Sequence, residues 1–161
     1  MTIRTQRDMF ERELQKLYHA EVEILDLHGD LSEAAASEEI SDLFRGHKED
    51  TVAQIHRIES IFELIGEEPT ERGSPIMEGL LAEKDEFVAE VADDDLRDLD
   101  AISIGMINER LEITLLDRLI LLARELDLPE EVVQQFTENR DEAQAALDRM
   151  QTFVAETRSS G

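Results

Sequence analysis

Apolar residues return every three or four positions over most of the 161-residue chain, the period of helices with one buried face, and no segment alternates with the period of a strand. Phe10, Leu14, Leu17, Tyr18, Leu25 and Leu31 define a first helix from about Thr5 to about Leu31, with Gly29 as a bend or stop. A second starts at Ser37, whose hydroxyl caps it, and carries Ile40, Leu43, Phe44, Ile55, Ile58, Ile61, Phe62 and Ile65 to Gly66. Ser74 and Pro75 supply a cap and first turn for a short helix through Met77, Leu80, Leu81, Phe87 and Val88. Asp93, Asp94 and Asp95 place negative charge at the start of a third long helix, where its macrodipole favours it. That helix carries Leu99, Ile102, Met106, Ile113, Leu116, Ile120, Ala123 and Leu126. After a turn at Asp127-Leu128-Pro129, a last helix carries Val133, Phe136, Ala143, Leu147, Met150 and Val154.

The predicted fold class is therefore all-α. Four long helices, short connections within each pair and a long crossover carrying a short extra helix describe an up-down four-helix bundle of ferritin-like topology. The length suits one domain, residues 1–161, with a core over about 5–156 and a disordered tail at 157–161.

Polar residues interrupt the apolar stripes near the middle of each long helix. Glu21 falls between Tyr18 and Leu25; His47, Asp50 and Gln54 between Leu43 and Ile58; Glu109 between Met106 and Ile113, with Glu112 on the bordering stripe; and Arg140 between Phe136 and Ala143. Carboxylates and an imidazole converging from facing helices are what a di-iron or di-manganese centre requires, because two cations neutralise charges that are otherwise costly to bury together. A complete set would include Glu-x-x-His pairs; here the nearest is the reversed His47-x-x-Asp50.

The run from Phe10 ending in Leu17-Tyr18-His19-Ala20-Glu21, the stretch from His47 to Ile58, Ile76-Met77-Glu78-Gly79-Leu80 and Glu109-Arg110-Leu111-Glu112-Ile113 resemble, in order and spacing, the YciF-like ferritin-like family, also called domain of unknown function 892. The likeness spans about residues 8 to 154. It implies a helical bundle, often dimeric, associated with stress responses, with a proposed di-metal centre and no assigned reaction. Carried over, it supports Glu21, His47, Asp50, Glu109 and Glu112 as ligands of Fe or Mn. Where the family has a cluster of glutamates in the last helix, this chain has Glu138-Asn139-Arg140-Asp141. Three arrangements stay open: two metals, as in an oxidase or ferroxidase; a single ion; or no metal, with the Arg140 guanidinium taking its place in a structural bundle. His19, His28 and His56 are expected at the surface or edge, since no second ligand accompanies them at metal spacing.

Composition narrows the setting. The 40 acids outnumber the 16 bases for a net charge of −24, which disfavours nucleic acid and anionic membranes as partners. The bases comprise 13 Arg and only Lys16, Lys48 and Lys84, so a salt-rich cytoplasm, where such charge is screened, is the expected location. No cysteine is present for a thiolate site or a disulfide, and no apolar run approaches a membrane span. A homodimer is the expected assembly on the family resemblance.

Overall fold

The computed structural model describes residues 2–160, which form five helices: α1 (Gln6–Ala34), α2 (Glu38–Leu64), α3 (Pro75–Glu90), α4 (Asp94–Glu125) and α5 (Glu130–Ser160). Their ends follow from local chemistry. Thr5 and Asp8 form a reciprocal capping box on α1, Ser37 Oγ accepts the Ile40 amide at 3.3 Å on α2, and Asp93 Oδ1 accepts the Leu96 amide at 3.0 Å on α4. Ser74 precedes α3 but makes no side-chain cap bond; Pro75 opens the first turn. Gly29 does not stop α1, which runs another turn to Ala34. Gly66 ends α2 at φ 75° with the Glu67 amide returned to Phe62 O, and Asp127 takes φ 52° in the α4–α5 turn, a conformation that Gly and Asp tolerate best. Helix α5 continues to Ser160 through most of the expected tail, and Gly161 lies outside the described residues.

Two antiparallel hairpins, α1/α2 and α4/α5, pack as a bundle in which α1 also lies against α4 and α2 against α5. The crossover fixes their relative direction. Its Arg72 amide donates to Gln15 O at 3.1 Å, Lys84 of α3 reaches Asp30 at 2.6 Å, and the start of α4 binds the α1–α2 turn through Arg97 to Ala34 O at 3.0 Å and Asp98 to the amides of Ala36 and Ser37. The chain thus runs up, down, back along the outside, down and up, with α3 packed on α1 and α4. No helix of the described residues is long and apolar enough to cross a membrane.

The apolar core comes in two layers. One gathers Phe10, Leu14, Leu17, Ile58, Phe62, Leu116, Leu119 and Phe136 near the α4–α5 turn; the other gathers Ile24, Leu27, Leu31, Phe44, Ile102, Met150 and the inner face of α3 near the α1–α2 turn. Between them lies a buried polar layer. On α4 the interior stripe runs through Ala101, Gly105, Asn108, Glu109, Glu112 and Leu116. Leu99, expected inside, is about 200° around the helix from Ala101 and is 51% exposed; Met106 and Ile113 sit one position off the stripe and are half-buried.

Candidate metal centre

The polar layer contains Glu21 and His28 from α1, His47, Thr51 and Gln54 from α2, Asn108, Glu109 and Glu112 from α4, and Asn139 from α5, all buried. Four of the five expected ligands are here. Asp50 is the exception: it is exposed at the mouth of the layer, because Thr51 holds the inward position one turn beyond His47.

His28 was expected near the surface and is only 2% exposed. It lies two helical turns beyond Glu21 on the same stripe, and that spacing was the signal that could have found it. Thr51 Oγ1 bonds the His47 carbonyl at 2.9 Å and meets His28 Nδ1 at 3.3 Å, which leaves His28 Nε2 directed at Glu109 Oε1, 3.9 Å away. The His28 and His47 ring centroids are 5.7 Å apart. His28, His47 and Glu109 each offer one ligand atom, all within 4.8 Å of one another, so this group could hold a metal ion. His19 and His56 do lie outside, against Glu71 and Glu59.

Glu112 ties the carboxylates together. It accepts Asn108 Nδ2 at 3.1 Å and hydrogen-bonds with both Glu21 and Glu109. Burial, followed by the charge of Glu112, pushes the carboxyls of Glu21 and Glu109 well above the usual range; burial raises Glu112 too, against the bonds it accepts. The imidazoles shift the other way: burial lowers His28 to about 4, and burial with the neighbouring His28 and Arg149 lowers His47 to about 3. Without a bound cation, burial thus favours protons on the carboxyls of Glu21 and Glu109 and the neutral form of both imidazoles. Four buried atoms of this layer, Glu21 Oε2, His28 Nε2, His47 Nδ1 and Asn108 Oδ1, have no hydrogen-bond partner. Glu13, equally buried one layer away, is instead neutralised by Arg12 at 2.9 Å and by Arg118. Among the described residues no Lys or Arg pairs with Glu21 or Glu112.

Arg140 does not fill that role. Its Nε donates to Asp117 at 2.9 Å on the outside of the α4–α5 hairpin, and Asn139 takes the interior position. The register is set by Arg57, which donates to Asn139 Oδ1 at 2.9 Å and to both oxygens of Glu142 at 2.6 and 2.8 Å, while Asn139 Nδ2 donates to Gln54 O at 3.3 Å. Of the three open arrangements, the replacement of metal by the Arg140 guanidinium is therefore corrected. Arg140→Ala should cost less than about 1 kcal/mol in urea unfolding, as for an exposed ion pair, rather than the several kcal/mol of a buried one.

Residues 5–160 match the family described as domain of unknown function DUF892. Protein YciF of Escherichia coli K12 is 30% identical over 127 residues, covering 78% of this chain and 76% of that protein. Among solved structures, YcfI of Rhodopseudomonas palustris, named as a candidate structural protein, superposes with a TM-score of 0.90 at 30% identity over 93% of this chain and 95% of that one. The E. coli stress protein YciF superposes at 0.92 with 24% identity, over 99% and 100% of the two chains. On the match across nearly its whole length, this chain belongs to the DUF892, YciF-like family of helical-bundle proteins.

Proposed function

We propose that this protein is an iron-binding bundle in which His28, His47 and Glu109 take an Fe(II) ion, with Glu21 and Glu112 beside them as the place of a second cation. The observation that carries this reading is that buried His28, His47 and Glu109 bring one ligand atom each within 4.8 Å of one another, beside the unpartnered His28 Nε2 and Glu21 Oε2, where among the described residues no Lys or Arg pairs with Glu21 or Glu112. Two imidazoles with a carboxylate suit Fe(II), and the further carboxylates also suit Mn(II). A bound redox-active ion would supply oxidation by dioxygen or peroxide, as in a ferroxidase.

The chain's own residues prepare the site. Thr51 engages Nδ1 of His28 and keeps Nε2 available, and Asn108 orients Glu112. The gap bordered by His28, His47, Asp50, Gln54, Glu109 and Glu142 measures about 10 Å³, room for an ion or a water but not for an organic substrate. That size favours handling of the ion itself over chemistry on a carbon substrate. With a relative named as a stress protein, the reading extends to iron handling under stress, in a homodimer of a salt-rich cytoplasm.

Protein purified without chelator from iron- and manganese-supplemented cells should carry about one to two ions per chain, and His28→Ala or Glu109→Gln should lose them. A folded wild-type protein that holds no Fe or Mn and takes up no Fe(II) anaerobically would refute the reading in favour of a structural bundle.

A further inference from the structure

Arg149 lies on α5 at the solvent edge of the polar layer, and its Nη2 stands 3.2 Å from His47 Nε2. A guanidinium only donates, so the imidazole nitrogen facing it must be the lone-pair nitrogen. A neutral His47 bonded in this way carries its proton on Nδ1, the buried atom with no partner. Both nitrogens are then closed to a metal, Nε2 by the arginine and Nδ1 by the proton. A metal-ligating histidine ordinarily passes its second N–H to an acceptor; here the group opposite is a donor.

We infer that Arg149 is a latch that holds the centre in its metal-free form, and that an incoming divalent cation must displace it from His47. The inference rests on the iron-site reading above. The surroundings suit such an exchange. An open cleft of about 330 Å³ beside Arg149 is lined by Glu39 and Asp148, which can receive the released guanidinium. A second, of about 470 Å³, is lined by Asp42, Glu49 and Asp50 and leads to His47, so cations collect where the latch must open. Asp50, out of place as a ligand, stands on this approach. Arg149 also places its charge near Glu109, so its departure removes a cation that would repel the incoming ion.

The test is titration with Co²⁺ alone, followed by its visible absorption, of the full chain and of Arg149→Ala and Arg149→Gln. Both variants should bind Co²⁺ about tenfold tighter than wild type or better, in the range that outer partners of metal-bound histidines command. ¹⁵N NMR of the metal-free chains should find His47 protonated at Nδ1 in wild type and moved toward Nε2 protonation in the variants. Equal affinities, or weaker binding by the variants, overturn the latch and leave the iron site standing. No binding by any of the three chains overturns both. An unchanged His47 tautomer in the variants also overturns the latch, and any tighter binding is then a charge effect.

Discussion

Glu21→Gln should make the metal-free protein more stable at pH 7, although it removes a group at the centre of the fold. Glu21 faces Glu109 and Glu112 from α4, Glu142 from α5 and, among the described residues, no cation, so its carboxyl is pushed well above its unfolded value near 4.5. Between those two values the folded chain binds more protons than the unfolded chain, and stability falls as pH rises, by about 1.4 kcal/mol per unit for each such carboxyl. His28 and His47 act in the opposite sense. Their folded values, about 4 and about 3, lie below the unfolded 6.5, so they withdraw stability as pH falls through 6.5, and their slope fades by about one unit above it. The window from about pH 7.5 to 8.5 therefore reports mainly the carboxyls. Urea unfolding of metal-free wild type should weaken steadily across that window, with a smaller slope in Glu21→Gln, whose amide donates to Glu112 without a proton to lose. Bound iron takes the place of the protons and should flatten the wild-type slope. A metal-free wild type with constant stability from about pH 7.5 to 8.5 would contradict the buried-acid description.

What this centre owes to local pattern differs from what it owes to packing. The cap at Ser37, the acidic start of α4 at Asp93, the stop at Gly66 and the short α3 are written in adjacent residues, and they were legible. Glu21, His47, Glu109 and Glu112 were legible for a related reason: a charged or polar group in the middle of an apolar stripe is conspicuous. Asp50 and Arg140 were misplaced by a single position. Phe136 and Ala143 are seven residues apart, so Asn139 and Arg140 fit the stripe almost equally, and only Arg57 of α2, 82 residues from Asn139 in sequence, decides between them. His28 was discounted because its companions, His47 and Glu109, come from other helices. Ligand sets assembled across a bundle carry no spacing rule within one helix.

The same dependence on distant packing makes Gly105 a sensitive position. Helices favour Ala over Gly by about 1 kcal/mol, so Gly→Ala in an open helical position should stabilise. Gly46 of α2 and Gly79 of α3 are such positions, with nothing within 4 Å of an added Cβ. At Gly105 the added carbon would come within 2.8 and 2.9 Å of Phe44 ring atoms and 3.0 Å of Met150 Sδ. Phe44 is fully buried and packed against the site's imidazoles, tilted to His28 and edge-on to His47 with ring centroids 6.1 Å from both, so it cannot yield without moving them. Overpacking of this kind costs about 1–3 kcal/mol, more than the helical gain. Gly105→Ala should therefore destabilise by about 1–2 kcal/mol in urea unfolding, while Gly46→Ala and Gly79→Ala stabilise by about 0.5–1 kcal/mol. Phe44→Leu, which opens a gap alone, should partly rescue Gly105→Ala, a coupling that a double-mutant cycle resolves. Because the ring pushes on both imidazoles, Gly105→Ala should also weaken Co²⁺ binding, which neither control substitution touches. Equal stabilisation at all three glycines would mean that Phe44 moves aside freely and that the histidine pair is not held by the packing around it.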